Sequence, residues 1–178
     1  EVKLSSGDLA NREIDDLLEQ AQRMEKVYKE IPDAPITTKL SEGILGLTGK
    51  ETVIKRELQQ IIGQLAFSQS YHDTRFIYIF NHEEYAEMEW MKWLPHFKLP
   101  HMHARGLIHN EETRDQLLSS LYEIIRERDT DVQKGKTIFA PHLVFFVADY
   151  SLLAEHVILE YLESQHTKDL GISVVFAE

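Results

Sequence analysis

Residues Gly43-Ile44-Leu45-Gly46-Leu47-Thr48-Gly49-Lys50-Glu51-Thr52 decide how this chain is read. A short apolar run, bounded by glycines and of the kind that forms a buried strand, leads into a glycine-lysine turn. An amphipathic helix follows, with Val53, Leu58, Ile61, Ile62, Leu65 and Ala66 on one face. That order is the setting of a phosphate-binding loop, G-x-x-x-x-G-K-[ST], in which backbone amides and a helix N-terminus hold the phosphates. The spacing departs from it, because five residues before Gly49 stands Ile44 rather than glycine. The chemistry departs as well, because Glu51 stands where a hydroxyl would bind Mg²⁺. A carboxylate about 4 Å from a phosphate charge costs about 4 kcal/mol at an effective dielectric near 20. Thr48-Gly49-Lys50 is a tight turn, too short for a full cradle. Gly46, Gly49, Lys50 and Glu51 therefore read as a vestigial loop, with no nucleotide binding expected.

Outward from this stretch, strand-like and helical patterns alternate. Towards the amino terminus, Ile14, Leu17, Leu18, Ala21, Met24, Val27, Tyr28 and Ile31 step by threes and fours, a helical stripe ended by Pro32 and Pro35. Residues 36–40 alternate like an edge strand. Towards the carboxyl terminus, Phe76-Ile77-Tyr78-Ile79-Phe80 is the clearest strand, and residues 82–92 look helical. A short Gly106-Leu107-Ile108 segment comes next. Asn110 caps a helix that buries Leu117, Leu118, Leu121, Ile124 and Ile125, and residues 128–136 read as a loop. Leu143 to Ala148 is a continuous apolar run, residues 151–163 look helical, and Gly171 opens a last strand, Ile172 to Phe176. Alternation with strands apolar on both faces predicts an α/β fold: a mostly parallel sheet sandwiched by helices, like a degenerate P-loop ATPase. The expected division is a connector helix and linker over residues 1–35 and an α/β domain over 36–178.

Composition narrows the function. The 178 residues carry a formal net charge of −11 and no cysteine. Disulfides, thiolate metal sites and a cysteine nucleophile are excluded, and a reducing cytosol is the simple reading. Lys and Arg are scattered and outnumbered, which disfavours nucleic acid as a partner. No run of about 18 apolar residues is present to span a membrane. A chain that begins on Glu1 and stops on a hydrophobic segment is expected to be part of a longer protein.

Two other features could carry chemistry. Asp149 ends the apolar run at 143–148, where an ATPase places the acid that orders Mg²⁺, but Tyr150 follows it and an Asp there is also an ordinary cap for Ser151. His96, His101, His103 and His109 crowd one segment, yet their spacings match no metal-ligand pair and no acid lies between His96 and His109, so no metal is expected.

Trp90, Trp93 and Phe97 share a helical face that runs into Leu94-Pro95-His96. Both tryptophans of the chain fall here. A core anchor joining helix to sheet is the preferred reading. A protein-docking surface is the other, since tryptophan is enriched at binding hot spots.

The segment Glu89-Trp90-Met91-Lys92-Trp93-Leu94-Pro95-His96 resembles a signature of the FtsK/SpoIIIE-type ATPases of type VII secretion, called EssC in Firmicutes and EccC in actinobacteria. The resemblance extends over Gly46 to Lys50, Leu99-Pro100-His101, Thr113 to Ser120 and Ala154 to Leu162, and is closer to the EssC form. It implies a membrane-proximal domain on the cytoplasmic side of the bacterial membrane, the amino-terminal helix being the end of a connector from the membrane. It implies a membrane-anchored parent, hexameric, that hydrolyses ATP with Mg²⁺ in later domains and exports small helical WXG-type proteins. No catalytic residue of the family maps onto this chain, so the fragment is expected to be neither an enzyme nor the holder of a cofactor. Its implied partners are the motor's other domains and subunits, membrane components of the secretion system, and WXG-type substrates.

Three functions follow as expectations. The leading one is a non-catalytic domain that couples a membrane channel to the motor and supports assembly. The second is a divergent NTPase using Lys50 and Asp149. The third is a module that binds secretion substrate or partner through the Trp90 to His103 surface.

Overall fold

Strand residues 76–79 alternate in the face they present, and the whole architecture follows from this. In the computed structural model, which describes residues 6–29, 37–99 and 102–178, Phe76 and Tyr78 join one hydrophobic cluster while Ile77 and Ile79 join another. Val144 and Phe146 take the first side, and Leu143, Phe145 and Val147 the second. Strands apolar on both faces need cover on both faces.

The cover comes from helices on opposite sides of a five-stranded sheet. Its strands are β1 (Ile44–Leu47), β2 (Thr74–Ile79), β5 (Leu107–Ile108), β6 (His142–Val147) and β7 (Ile172–Ala177), in the order β1-β7-β6-β2-β5, all parallel. The chain steps one way across the sheet from β1 to β2 through α2 (Glu51–Ser68), and the other way from β5 to β6 through α4 (Glu111–Gln133). Right-handed crossovers of opposite direction put their helices on opposite faces. Accordingly Ile54, Leu58 and Ile62 of α2 pack on one face and Leu117, Leu118, Leu121 and Ile125 of α4 on the other. The short strands β3 (Lys98–Leu99) and β4 (Ala104–Arg105) form a separate antiparallel pair, and two single-turn helices, α3 (Tyr85–Met88) and α5 (Leu159–Leu162), complete the order. Where β5 meets β2 only glycine fits, because a Cβ on Gly106 would collide with the Phe76 carbonyl.

The chain divides into two units, Glu1–Thr38 and Lys39–Glu178. The second holds the sheet. The first contains α1 (Ser6–Tyr28), on which Ile14, Leu17, Leu18 and Met24 are exposed. Among the described residues no helix is long and apolar enough to cross a membrane.

Several sequence expectations are corrected. Ile36 of the expected edge strand lies outside the described residues. Residues 37–39 are irregular and Leu40–Glu42 forms a 3₁₀ turn, because the Leu40 carbonyl accepts from the Ser173 hydroxyl and the Gly43 amide instead of joining a ladder. Strand β1 lies at the sheet edge and is not buried; Ile44 is exposed, as is Val53 on α2. Residues 82–97 form successive 3₁₀ turns around α3. Helix α4 continues through the expected loop to Gln133, because Arg128 extends its buried stripe and donates to the carbonyls of Leu170, Gly171 and Pro141. Residues 151–163 are turns rather than one helix. Leu153 and Ile158 are both fully buried, yet five helical residues apart they would diverge by about 140°.

Candidate functional site at the carboxyl end of the sheet

Function in open α/β sheets concentrates at the carboxyl ends of the strands. Here a cleft of about 460 Å³ opens there, lined by Gly49, Glu51 and Lys55 from the start of α2, Tyr78 of β2, Asn81, Glu83 and Glu84 beyond it, and Asp149 and Ser151 beyond β6. The turn from β1 to α2 is as tight as its sequence predicts. The Glu178 amide donates to the Leu47 carbonyl at 2.9 Å, and the Gly49 amide donates to the Glu178 carbonyl at 3.1 Å. The pairing of β1 with β7 thus runs on into the loop and engages a backbone donor that a phosphate cradle would need. Lys50 sits at the N-cap of α2 with extended backbone and is exposed; it does not line the cleft.

The cation in the cleft is Lys55. Its ammonium lies 2.8 Å from Glu84 and 3.3 Å from Glu87. The hydrogen bond to Glu84 holds its pKa above the ordinary lysine value, with Glu87 adding to the effect against the cost of burial. Tyr78, 1% exposed, has its phenol pushed up by burial first, then by Glu84 and Glu87. Asp149 is brought to the cleft, but as a cap: its Oδ1 accepts from the Ser151 amide at 3.0 Å and from the Ser151 hydroxyl. Sequence reasoning missed Lys55 and Glu84, whose pairing joins residues 29 apart and has no local signature.

The Trp-rich segment corrects the core reading. Trp93 is 76% exposed and Trp90 44%. The residues that anchor this segment are Met88, Met91, His96 and Phe97, all buried. His96 Nε2 donates to the Gln69 carbonyl at 3.0 Å, and Arg75 holds the Pro95 carbonyl at 2.9 Å. Leu94 is half-buried against the α2 face of the sheet. The Lys92 ammonium sits 5.3 Å from the centre of the Trp93 ring.

The histidines disperse. His96 is buried, His103 is exposed, and His101 lies outside the described residues. His109 meets His82, Nδ1 to Nδ1 at 2.9 Å, where burial first and His82 second lower its pKa. Among the described residues no three His, Asp or Glu side chains converge on a metal-binding point.

A parallel sheet of this kind, with its loop and crossover helices, is an ATPase-like α/β domain. Its solved structural neighbours agree: a cytoplasmic domain of the type VII secretion ATPase EccC from Thermomonospora curvata (TM-score 0.61, 14% identity, 82% of this chain and 17% of that one) and the second and third ATPases of the same protein, solved in complex with a signal sequence peptide (TM-score 0.57, 14% identity, 82% and 26%). No protein-family model matches the chain. Sequence relatives are closer. The chain is 58% identical over 177 residues to the ESX secretion system protein YukB of Bacillus subtilis and to EccC of Geobacillus thermodenitrificans, covering 99% of this chain. It is 36% identical over 173 residues to the type VII secretion system protein EssC of Staphylococcus aureus, covering 94% of this chain. The chain spans 12% of the length of each of these relatives. It belongs to the EssC/EccC family of type VII secretion proteins, of which it corresponds to one segment.

Proposed function

We propose that this domain is a non-catalytic coupling element of a type VII secretion motor. It would sit on the cytoplasmic side of the membrane, link a membrane channel to ATP-hydrolysing domains elsewhere in the parent, and support assembly of the complex. The observation that carries this reading is the Gly49 amide held by the Glu178 carbonyl, at the mouth of a cleft lined by Glu51, Glu83, Glu84 and Asp149. A triphosphate there meets carboxylates where it needs amides, an ammonium already paired with two glutamates, and Glu51 in place of the Mg²⁺-binding hydroxyl. The residues present do not fit Mg²⁺-ATP. The competing NTPase reading rests on Lys50, which lies outside the cleft, and on Asp149, which caps the next turn.

The test is calorimetric titration of the fragment with Mg²⁺-ATP and Mg²⁺-ADP beside Lys50→Ala. The expected result is no binding heat up to millimolar nucleotide in either protein. Micromolar binding lost in Lys50→Ala would overturn the proposal and mean that the short Gly49–Lys50 turn still holds phosphate.

A second reading, a protein-binding module, is favoured by the exposure of Trp93 and Trp90. In it these side chains contact another secretion component or a WXG-type substrate.

A further inference from the structure

The cleft at the carboxyl end of the sheet carries on its wall a phenol hydroxyl without a partner. Tyr78 lines that space and is 1% exposed. Among the described residues no group forms a hydrogen bond with its Oη; Glu84 and Glu87 act on the phenol through their charge alone. A polar group on a side chain so deeply covered is normally paired. The walls around it are acidic. Lys55 is the cation of the cleft, and Glu84 and Glu87 already hold it. Glu51, Glu83 and Asp149 line the same space with no ion-pair partner among the described residues. Asp149 uses Oδ1 to cap Ser151, which leaves its Oδ2 free.

We infer that the cleft receives an arginine side chain of a partner polypeptide, whose guanidinium donates to the Tyr78 hydroxyl oxygen and to the carboxylates of Glu83 and Asp149. The inference rests on the reading above that the cleft does not hold nucleotide. The sign of the ligand follows from charge. Carboxylates gathered around one space repel one another, and a cation relieves that repulsion where an anion adds to it. The shape of the ligand follows from spacing. A divalent metal ion needs several oxygens converging on one point, and among the described residues no three acids converge in that way. A guanidinium spreads five N–H donors in one plane and can serve acceptors that are set apart. It is also less strongly hydrated than an ammonium, which lowers the cost of entering a partly closed space. Burial and the two glutamates raise the Tyr78 pKa, so the phenol stays neutral beside the carboxylates and offers its oxygen as an acceptor.

The probe is the capped tripeptide acetyl-Gly-Arg-Gly-amide, with its citrulline counterpart as the uncharged control. Both are titrated at physiological ionic strength into the full 178-residue chain, and the amide resonances are followed by NMR. The expected result is saturable shifts of the Asn81, Glu83 and Ser151 amides at millimolar arginine peptide, with the citrulline peptide at least about ten-fold weaker. Tyr78→Phe weakens binding about five-fold or more, yet leaves the urea midpoint unchanged, because the hydroxyl it removes has no partner in the fold. Glu83→Gln, at an exposed position, weakens binding about two-fold. No saturation, equal binding of the citrulline peptide, or full binding by Tyr78→Phe would overturn the inference. So would displacement of the peptide by millimolar Mg²⁺, which would mean a divalent-cation site, or tighter binding of free arginine than of the peptide, which would mean a metabolite site. Nucleotide binding in the calorimetric titration would remove the reading on which the inference rests. Failure with the peptide, while nucleotide stays at background, would remove this inference alone.

Discussion

The imidazole of His96 lies on the ring of Phe76, centroids 4.8 Å apart and planes 15° from parallel. This contact, with the hydrogen bond from Nε2 to the Gln69 carbonyl, ties the Trp-rich segment to β2 and to the end of α2. The Nδ1 atom is buried without a hydrogen-bond partner among the described residues. The anchor thus combines one ring stack with one hydrogen bond. His96→Ala is expected to destabilise the domain by about 2–3 kcal/mol, from lost packing plus one hydrogen bond. His96→Phe keeps the stack, removes the orphaned nitrogen, and should cost less than half as much. Urea midpoints of the two variants check the order.

Acid should weaken this fold through its half-buried histidines. His142 donates from Nε2 to the Ser173 hydroxyl, which in turn donates to the Leu40 carbonyl. Burial first, and Arg128 second, lower the His142 pKa below its ordinary 6.5. His109 and His156 are lowered too, burial being the first cause in each. A lowered folded pKa means the unfolded chain takes up the proton first, so stability is complete above about pH 6.5 and falls as pH drops towards the folded values. Denaturation midpoints at pH 7.5 and pH 5.5 should differ in that direction. His142→Gln should reduce the difference, and an unchanged slope would remove His142 from the account.

The tryptophans report their own exposure. With both of them in one segment, emission should be red-shifted and readily quenched by acrylamide. Trp93→Phe should change stability by no more than about 0.5 kcal/mol, as for surface positions generally. Blue-shifted, protected emission from the isolated fragment would mean that these rings are covered.

Restoring the missing hydroxyl should not restore nucleotide binding. In Glu51→Thr the motif residue returns, but the Gly49 amide remains on the Glu178 carbonyl and Glu83, Glu84 and Asp149 still line the cleft. Titration of this variant with Mg²⁺-ATP is expected to stay at background up to millimolar concentration. A measurable affinity would show that Glu51 alone was the obstacle.

By itself the sequence determined the layers of this protein. Strands such as Phe76 to Phe80 and Leu143 to Val147, apolar at every position and separated by helical stripes, point to a parallel sheet covered on both faces. It also determined that Gly49 to Glu51 departs from the G-x-x-x-x-G-K-[ST] pattern, with a carboxylate whose charge opposes a phosphate where the pattern has a neutral hydroxyl. Both are legible because period and side-chain chemistry are local properties. Only the tertiary structure decided that Lys55 rather than Lys50 faces the cleft, that Arg128 prolongs α4, and that residues 151–163 break into turns. Each of those depends on a partner far along the chain: Glu84 for Lys55, Leu170 and Gly171 for Arg128, the sheet face that takes Leu153 and Ile158 together. The tryptophans show the same limit. Their spacing defined a shared face, but which side of the turn met the sheet was settled by His96, Phe97, Met88 and Met91 filling the space under it, and that packing left Trp90 and Trp93 in solvent.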